Sequence, residues 1–298
     1  MPLAPVPRHP RRLVYLGTPA MAVPPLEALV AAGFDVPLVV TRPDAKRGRG
    51  NERSPSPVAV AAASLDIPVA YTVDEAIDAS ADLAVVVAYG RIIRPHVLAA
   101  LPMVNLHFSQ LPRWRGAAPV ERAILAGDTE TGVCVMDVEE GLDTGGVYAS
   151  VTVPIASRAT ADELRAALVQ VGTDLLVSTL LAGLDMPVPQ AGDVTYAAKL
   201  TPDDLHLQWD RPAVELDRVV RVGGAWTTFR DRRLKVAAAE PLPDQRDGLN
   251  PGELAGDVVA TGAGGLRLLT VQPEGKPPLP FVDWRNGARP AADERLGG

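Results

Sequence analysis

The chain has one cysteine, Cys134, in 298 residues. That count excludes an internal disulfide framework and a multi-cysteine zinc site, and leaves a lone reactive thiol as a minor reading beside a buried structural one. Histidines number four and aromatics make up 4%. No stretch approaches the ~20 apolar residues of a membrane helix. The LVYLG run after MPLAPVPRHPRR is too short for a signal-peptide core. No membrane association and a reducing, cytoplasmic location are expected. Three motifs are missing as well. Without GxxxxGK(S/T) there is no P-loop. The GTP turn at Gly17 lacks the GxGxxG of a dinucleotide site. Without HExxH there is no zincin-type metal centre, and no metal is expected. No internal repeat, low-complexity tract or heptad is present, so a monomer is expected.

The composition is that of a folded protein, 47% hydrophobic and 22% charged. The net charge of −7 resides in residues 1–208, and residues 209–298 are balanced. Bulk charge therefore does not favour an anionic partner, which would have to meet local patches. One such patch is the loop Arg42–Val58, where Arg42, Lys46, Arg47, Arg49 and Arg53 outnumber two acids and Gly48 and Gly50 flank Arg49. A mobile basic loop suits phosphate contacts, but a solvated surface loop has the same composition. A second is Arg211–Lys235, with a local charge of +4. It is either an anion-binding face or a salt-bridged surface.

Short apolar runs alternate with helical patterns through the first 187 residues. RLVYLG, VPLVV, DLAVVV, MVNLHFS, TGVCVMDV and VYASVTVPI read as strands. DLAVVV is apolar on both faces, as a central parallel strand should be. The intervening segments read as helices. The longest starts at a Thr160/Glu163 capping box and stops near Gly183. Strand–helix alternation predicts an α/β domain with a mostly parallel sheet and ligands at the carboxyl ends of its strands. From about residue 187 the pattern becomes turn-rich, and PVPQAGDVTYAAKLTPDDLHLQW reads as a connector. Beyond it, VELDRVVRVGG reads as a helix. TTFRDRRLKV reads as a hairpin turning at Asp231–Arg232, and further strands follow between glycine-rich turns.

Asn105, His107 and Ser109 alternate along one strand and so share a face. An imidazole can pass a proton near neutral pH, and a carboxamide can donate to a developing oxyanion. A hydrogen-bonded strand end is the plainer account, and spacing does not choose between them. Asp143, in EEGLDTGG, could orient an imidazole or be a turn aspartate.

These stretches together resemble the methionyl-tRNA formyltransferases. The resemblance rests on YLGTP at 15–19, AVPPLEAL, TRPD, RGRG and PSPV, VVVAYGRII, NLH with LPRWRGAAPVERAI, and GLDTG at 141–145. It continues through AAKL at 197–200, LQW at 207–209 and LLTVQPEGK at 268–276. It implies a Rossmann-like formyltransferase domain over residues 11–187, a linker over 188–208 and a small OB-like β-barrel over 209–298. It implies transfer of formyl from 10-formyltetrahydrofolate to the methionyl amine of initiator tRNA, without a metal. Asn105, His107 and Asp143 fall on the family's catalytic positions. Ser109, Gln110, Leu111 and Pro112 fall on its folate-binding turn. Arg42, Lys46, Arg47 and Arg49 fall on its tRNA-binding loop. The chain departs from the family at Ala20 and Met21 after GTP, and at Gln110, where the family has leucine. A sugar-nucleotide amine formyltransferase shares the same Asn, His and Asp logic but would have no use for the basic loop. A glycinamide ribonucleotide formyltransferase would not need the second domain. A non-catalytic RNA-binding relative is the remaining alternative.

Overall fold

A computed structural model describes residues 2–46, 53–243, 248–291 and 294–297. The chain divides into two compact units. The first comprises Met1–Val120, Glu130–Pro154 and Leu164–Ala198, and the second Glu121–Thr129, Ile155–Glu163 and Lys199–Gly298.

The first unit is built on a seven-stranded sheet. Its strands are β1 (Arg12–Gly17), β2 (Asp35–Val40), β3 (Val69–Ala70), β4 (Leu83–Val87), β5 (Met103–His107), β6 (Glu130–Asp137) and β7 (Val147–Pro154). The spatial order is β7-β6-β5-β4-β1-β2-β3. β1 to β5 run parallel, and β6 and β7 close one side antiparallel. Every residue of β4 is buried, which agrees with its unbroken apolar run. The order reverses between β1 and β4. Their carboxyl ends thus frame the crevice where such sheets bind ligands, with the end of β5 beside it.

Local chemistry sets the helices. The serine before α1 (Pro57–Ser64) is an N-cap, its Oγ accepting from Ala59 N–H at 2.9 Å, and Pro57 follows at the first helical position. That serine, Ser56, also hydrogen-bonds Thr41 at 2.7 Å, tying the helix start to the segment after β2. Ahead of α2 (Ala161–Ala182), Thr160 N–H donates to Glu163 Oε2 at 2.9 Å and Glu163 N–H donates to Thr160 Oγ1 at 3.2 Å, the reciprocal pair read from the sequence. By length and composition α2 is apolar enough to cross a membrane, which corrects the expectation that no stretch comes near. Its apolar residues serve packing: Leu164, Leu168, Leu176 and Leu180 are buried along one stripe. Gly172 brings α2 so close to β6 that a Cβ there would lie 2.9 Å from Val133 Cγ1.

The second unit is a small barrel-like antiparallel sheet around one core. Its strands are β8 (Trp226–Phe229), β9 (Arg232–Leu242), β10 (Leu254–Ala255), β11 (Val258–Ala260), β12 (Gly265–Pro273) and β13 (Leu279–Pro280). They follow the order β8-β9-β12-β11-β10, with β13 on β12. Leu207, Trp209, Leu216, Val236, Leu266 and Phe281 lie in its core, and the buried Trp209 indole N–H donates to Thr227 Oγ1 at 3.0 Å. The β8–β9 turn is centred on Arg230 and Asp231, both left-handed at φ 50° and 58°. That is one residue earlier than the sequence reading placed it, and matches the twist that a two-residue hairpin requires. Much of the basic charge between Arg211 and Lys235 is met by acids. Arg211 pairs with Glu215 at 2.6 Å, Arg221 with Asp217 at 2.8 Å, and Arg230 with Glu294 at 2.7 Å. The salt-bridged account of this segment is the better one.

Candidate active site

β5 carries two of the candidate residues to the sheet's carboxyl edge. Asn105 is in register with Val86 on one side and Met136 on the other, and His107 with Cys134. Asn105 is half-buried, and its carboxamide makes no hydrogen bond to a described residue. His107 is buried, 6% exposed, and both ring nitrogens face acceptors. Nε2 lies 3.0 Å from the Trp114 carbonyl, which can only accept, so the hydrogen is assigned to Nε2. Nδ1 faces Asp143 Oδ2 at 3.7 Å, an ion-pair separation rather than a hydrogen bond.

The chain reaches Asp143 through an irregular loop whose backbone is left-handed there, at φ 50°, a conformation aspartate tolerates better than most residues. Asp143 Oδ2 accepts from Gly116 N–H at 2.7 Å. Two stretches distant in sequence thus meet: β5, which carries the amide and the imidazole, and the Asp143 loop, whose carboxylate faces that imidazole and is held by a turn eleven residues beyond Asn105.

Ser109 lies past the end of β5 and is fully buried. Its hydroxyl donates to Arg113 O at 2.6 Å, so it closes a turn rather than extending the polar face of Asn105 and His107. The Leu111–Pro112 bond within that turn is cis. Gln110 and Leu111, with Cys134, Tyr148 and Gln190, line a cleft of about 410 Å³. Gln110 folds inward. Its buried Oε1 has no hydrogen-bond partner among the described residues, and a Cβ on Gly132 would sit 2.2 Å from it. Gly132 therefore makes the room that the Gln110 amide fills.

Burial sets the remaining titratable groups nearby. It raises the Cys134 thiol above its ordinary value, and Cys134 Sγ donates to Ser109 O at 3.2 Å. This is a structural thiol, not an activated nucleophile. Burial likewise raises Asp137 at the end of β6, and the Tyr148 phenol. No group of three His, Cys, Asp or Glu residues among those described could hold a metal ion.

Of the basic-loop candidates, Arg42 is exposed. Arg47, Arg49 and the side chain of Lys46 lie outside the described residues. Beside them, Ala45–Lys46 pairs antiparallel with Arg53–Ser54.

Sequence reasoning missed the turn that holds both partners of His107. Arg115–Gly116 pairs with Tyr196–Ala197 in a short parallel ladder. Gly116 has φ 121°, and a Cβ on it would meet Ala197 O at 2.8 Å. Gly116→Ala is expected to lower stability by about 1–3 kcal/mol, read as a shift in the denaturation midpoint. An unchanged midpoint would contradict this account of the turn.

Comparison with known proteins agrees with this architecture. Residues 11–180 match the formyl transferase family, and residues 199–289 match the formyl transferase C-terminal domain. Methionyl-tRNA formyltransferase of Thermobifida fusca is 44% identical over 96% of this chain and 99% of its own length. The protein of the same name from Streptomyces coelicolor is 43% identical, with the same coverage. Among solved structures, the N-formyltransferase of Helicobacter canadensis in complex with folinic acid and dTDP-3-aminofucose shares the fold. Its TM-score is 0.66 at 17% identity, covering 87% of this chain and 98% of that one. HypX of Aquifex aeolicus in complex with tetrahydrofolic acid has a TM-score of 0.64 at 16% identity, covering 93% of this chain and 47% of that one. With two family models in tandem and relatives of matching length at over 40% identity, the chain belongs to the methionyl-tRNA formyltransferase family.

Proposed function

We propose that this protein transfers the formyl group of 10-formyltetrahydrofolate to the amino group of methionine on initiator tRNA, with Asn105, His107 and Asp143 as the transfer centre. The observation that carries the assignment of residues is their convergence. A carboxamide with no partner among the described residues stands two residues before an imidazole on one strand, and a carboxylate faces that imidazole at 3.7 Å.

The amine nitrogen attacks the formyl carbon, and the carbonyl π pair moves onto oxygen. Asn105 donates its carboxamide N–H to that oxyanion, with His107 beside it on the same strand. Asp143 takes the proton that the attacking nitrogen must lose. When the tetrahedral intermediate collapses, the bond from carbon to the folate nitrogen breaks, and the proton that Asp143 took is passed to that leaving nitrogen, which restores the carboxylate. The Ser109–Pro112 turn is the folate seat, through its cleft-lining residues Gln110 and Leu111. Buried in its own turn, Ser109 shapes that seat rather than binding folate through its hydroxyl.

The basic side chains of Arg42, Lys46, Arg47 and Arg49 engage the phosphates of the acceptor stem. The protein acts as a monomer in the cytoplasm, where its tRNA substrate is charged. In steady-state formylation of charged initiator tRNA, Arg49→Ala is expected to raise the KM for tRNA several-fold at low salt and by less at high salt, since screening weakens what is lost. An unchanged KM at low salt would remove the loop from the reading.

A further inference from the structure

The segment that reads as a connector also carries hydrogen bonds into the transfer centre. Gln190 Nε2 donates to the carbonyl oxygens of Asp143 and Gly145, each at 2.8 Å. Gln190 Oε1 accepts from Arg115 Nε at 3.0 Å and from Arg115 Nη2 at 2.6 Å. Four bonds saturate the carboxamide, with two hydrogens given and two lone pairs used. Its orientation is unambiguous. A guanidinium can only donate and a backbone carbonyl can only accept, so the oxygen must face Arg115 and the nitrogen the loop.

The loop needs such a tether. Asp143 sits outside any helix or strand, in a left-handed conformation between Gly141 and Gly145. Its carboxylate is anchored by the N–H of Gly116, the residue next to Arg115. Gln190 therefore ties the backbone of the Asp143 loop to the same turn that grips its side chain. A displacement of about 1 Å at a reacting group can cost of the order of 10²-fold in rate. Thr195, five residues on, braces the other side of the turn. Its Oγ1 accepts from Trp114 N–H at 2.9 Å, and its carbonyl accepts from Arg115 N–H at 2.9 Å. The Trp114 carbonyl, in turn, receives His107 Nε2.

We propose that Gln190 is a positioning residue for formyl transfer, holding the Asp143 loop so that its carboxylate faces His107 and the attacking amine. The inference rests on the reading of Asp143 as the proton acceptor. It is tested with the full-length protein in a double-mutant cycle of Gln190→Ala and Asp143→Asn, measuring kcat and both KM values. Gln190→Ala is expected to lower kcat about tenfold with each KM within about threefold of wild type. In the Asp143→Asn background the same change is expected to cost less than about threefold, because the carboxylate it serves is already gone. Gln190→Glu is the second variant. It keeps an acceptor for Arg115 and removes both donors to the loop, so it reads the same coupling where the alanine variant does not fold. A kcat within about threefold of wild type in both Gln190 variants overturns the proposal, as does an equal loss in both backgrounds, which marks a structural role alone. A near-normal kcat in Asp143→Asn itself shows that the parent reading has failed, and the proposal falls with it.

Discussion

Asn105→Ala is expected to lower kcat by about 10²–10³-fold while leaving tetrahydrofolate binding unchanged, the usual cost of removing one preorganised oxyanion donor. The strand backbone should not move. Asn105 is held in the ladder by Val86 on β4 and Met136 on β6, and both pairings are main-chain contacts that alanine preserves. Its side chain supports no other described residue through a hydrogen bond, so truncation leaves no protein group orphaned. The loss should therefore fall on the transition state rather than on the fold. Steady-state kinetics with a separate titration of tetrahydrofolate separates the two. A kcat within about threefold of wild type, with folate affinity intact, would contradict the role of Asn105.

Asp143→Asn is expected to lower kcat by about 10²-fold or more, the contribution typical of a positioned general base. The substitution is close to isosteric. Asparagine also tolerates the left-handed backbone at this position, and its amide oxygen can still accept from Gly116 N–H. What disappears is the negative charge facing His107 Nδ1 at 3.7 Å and the lone pair that would take the amine proton. A kcat near that of wild type, at an unchanged melting temperature, would show that Asp143 is only a turn residue.

Much of the scaffold was legible in the sequence because it is periodic. The apolar run of β4, the alternation that puts Asn105 and His107 on one strand, and the Thr160/Glu163 capping box are local patterns with local consequences. Other features were hidden for physical reasons. The Ser109 hydroxyl follows the same alternation as Asn105 and His107, yet the chain leaves the strand before it and turns that hydroxyl onto Arg113. The hydrogen bond from Gln190 to Asp143 spans 47 residues and joins two irregular segments, for which no repeat exists to betray it. Trp114 and Asp143 are both left-handed without being glycine, so composition gave no sign of the conformation on which the His107 contacts depend. The turn-rich character of residues 187–209 suggested a spacer. The same segment brings the polar atoms of Gln190 and Thr195 to the Trp114–Gly116 turn, and their own backbones lie in no regular element.

The proposed tRNA contacts of Arg42, Lys46, Arg47 and Arg49 and the proposed transfer centre make different demands on the acceptor. The first concerns a polyanionic stem, the second only a primary amine. An amino-sugar nucleotide satisfies the second demand alone. The most direct measurement is therefore a competition. The wild-type protein is given 10-formyltetrahydrofolate labelled in its formyl carbon, together with charged initiator tRNA and an amino-sugar nucleotide, and the label is followed into each acceptor. The account predicts label on the methionyl amine of the tRNA and none on the sugar. Label on the sugar alone, or on neither acceptor, would contradict it.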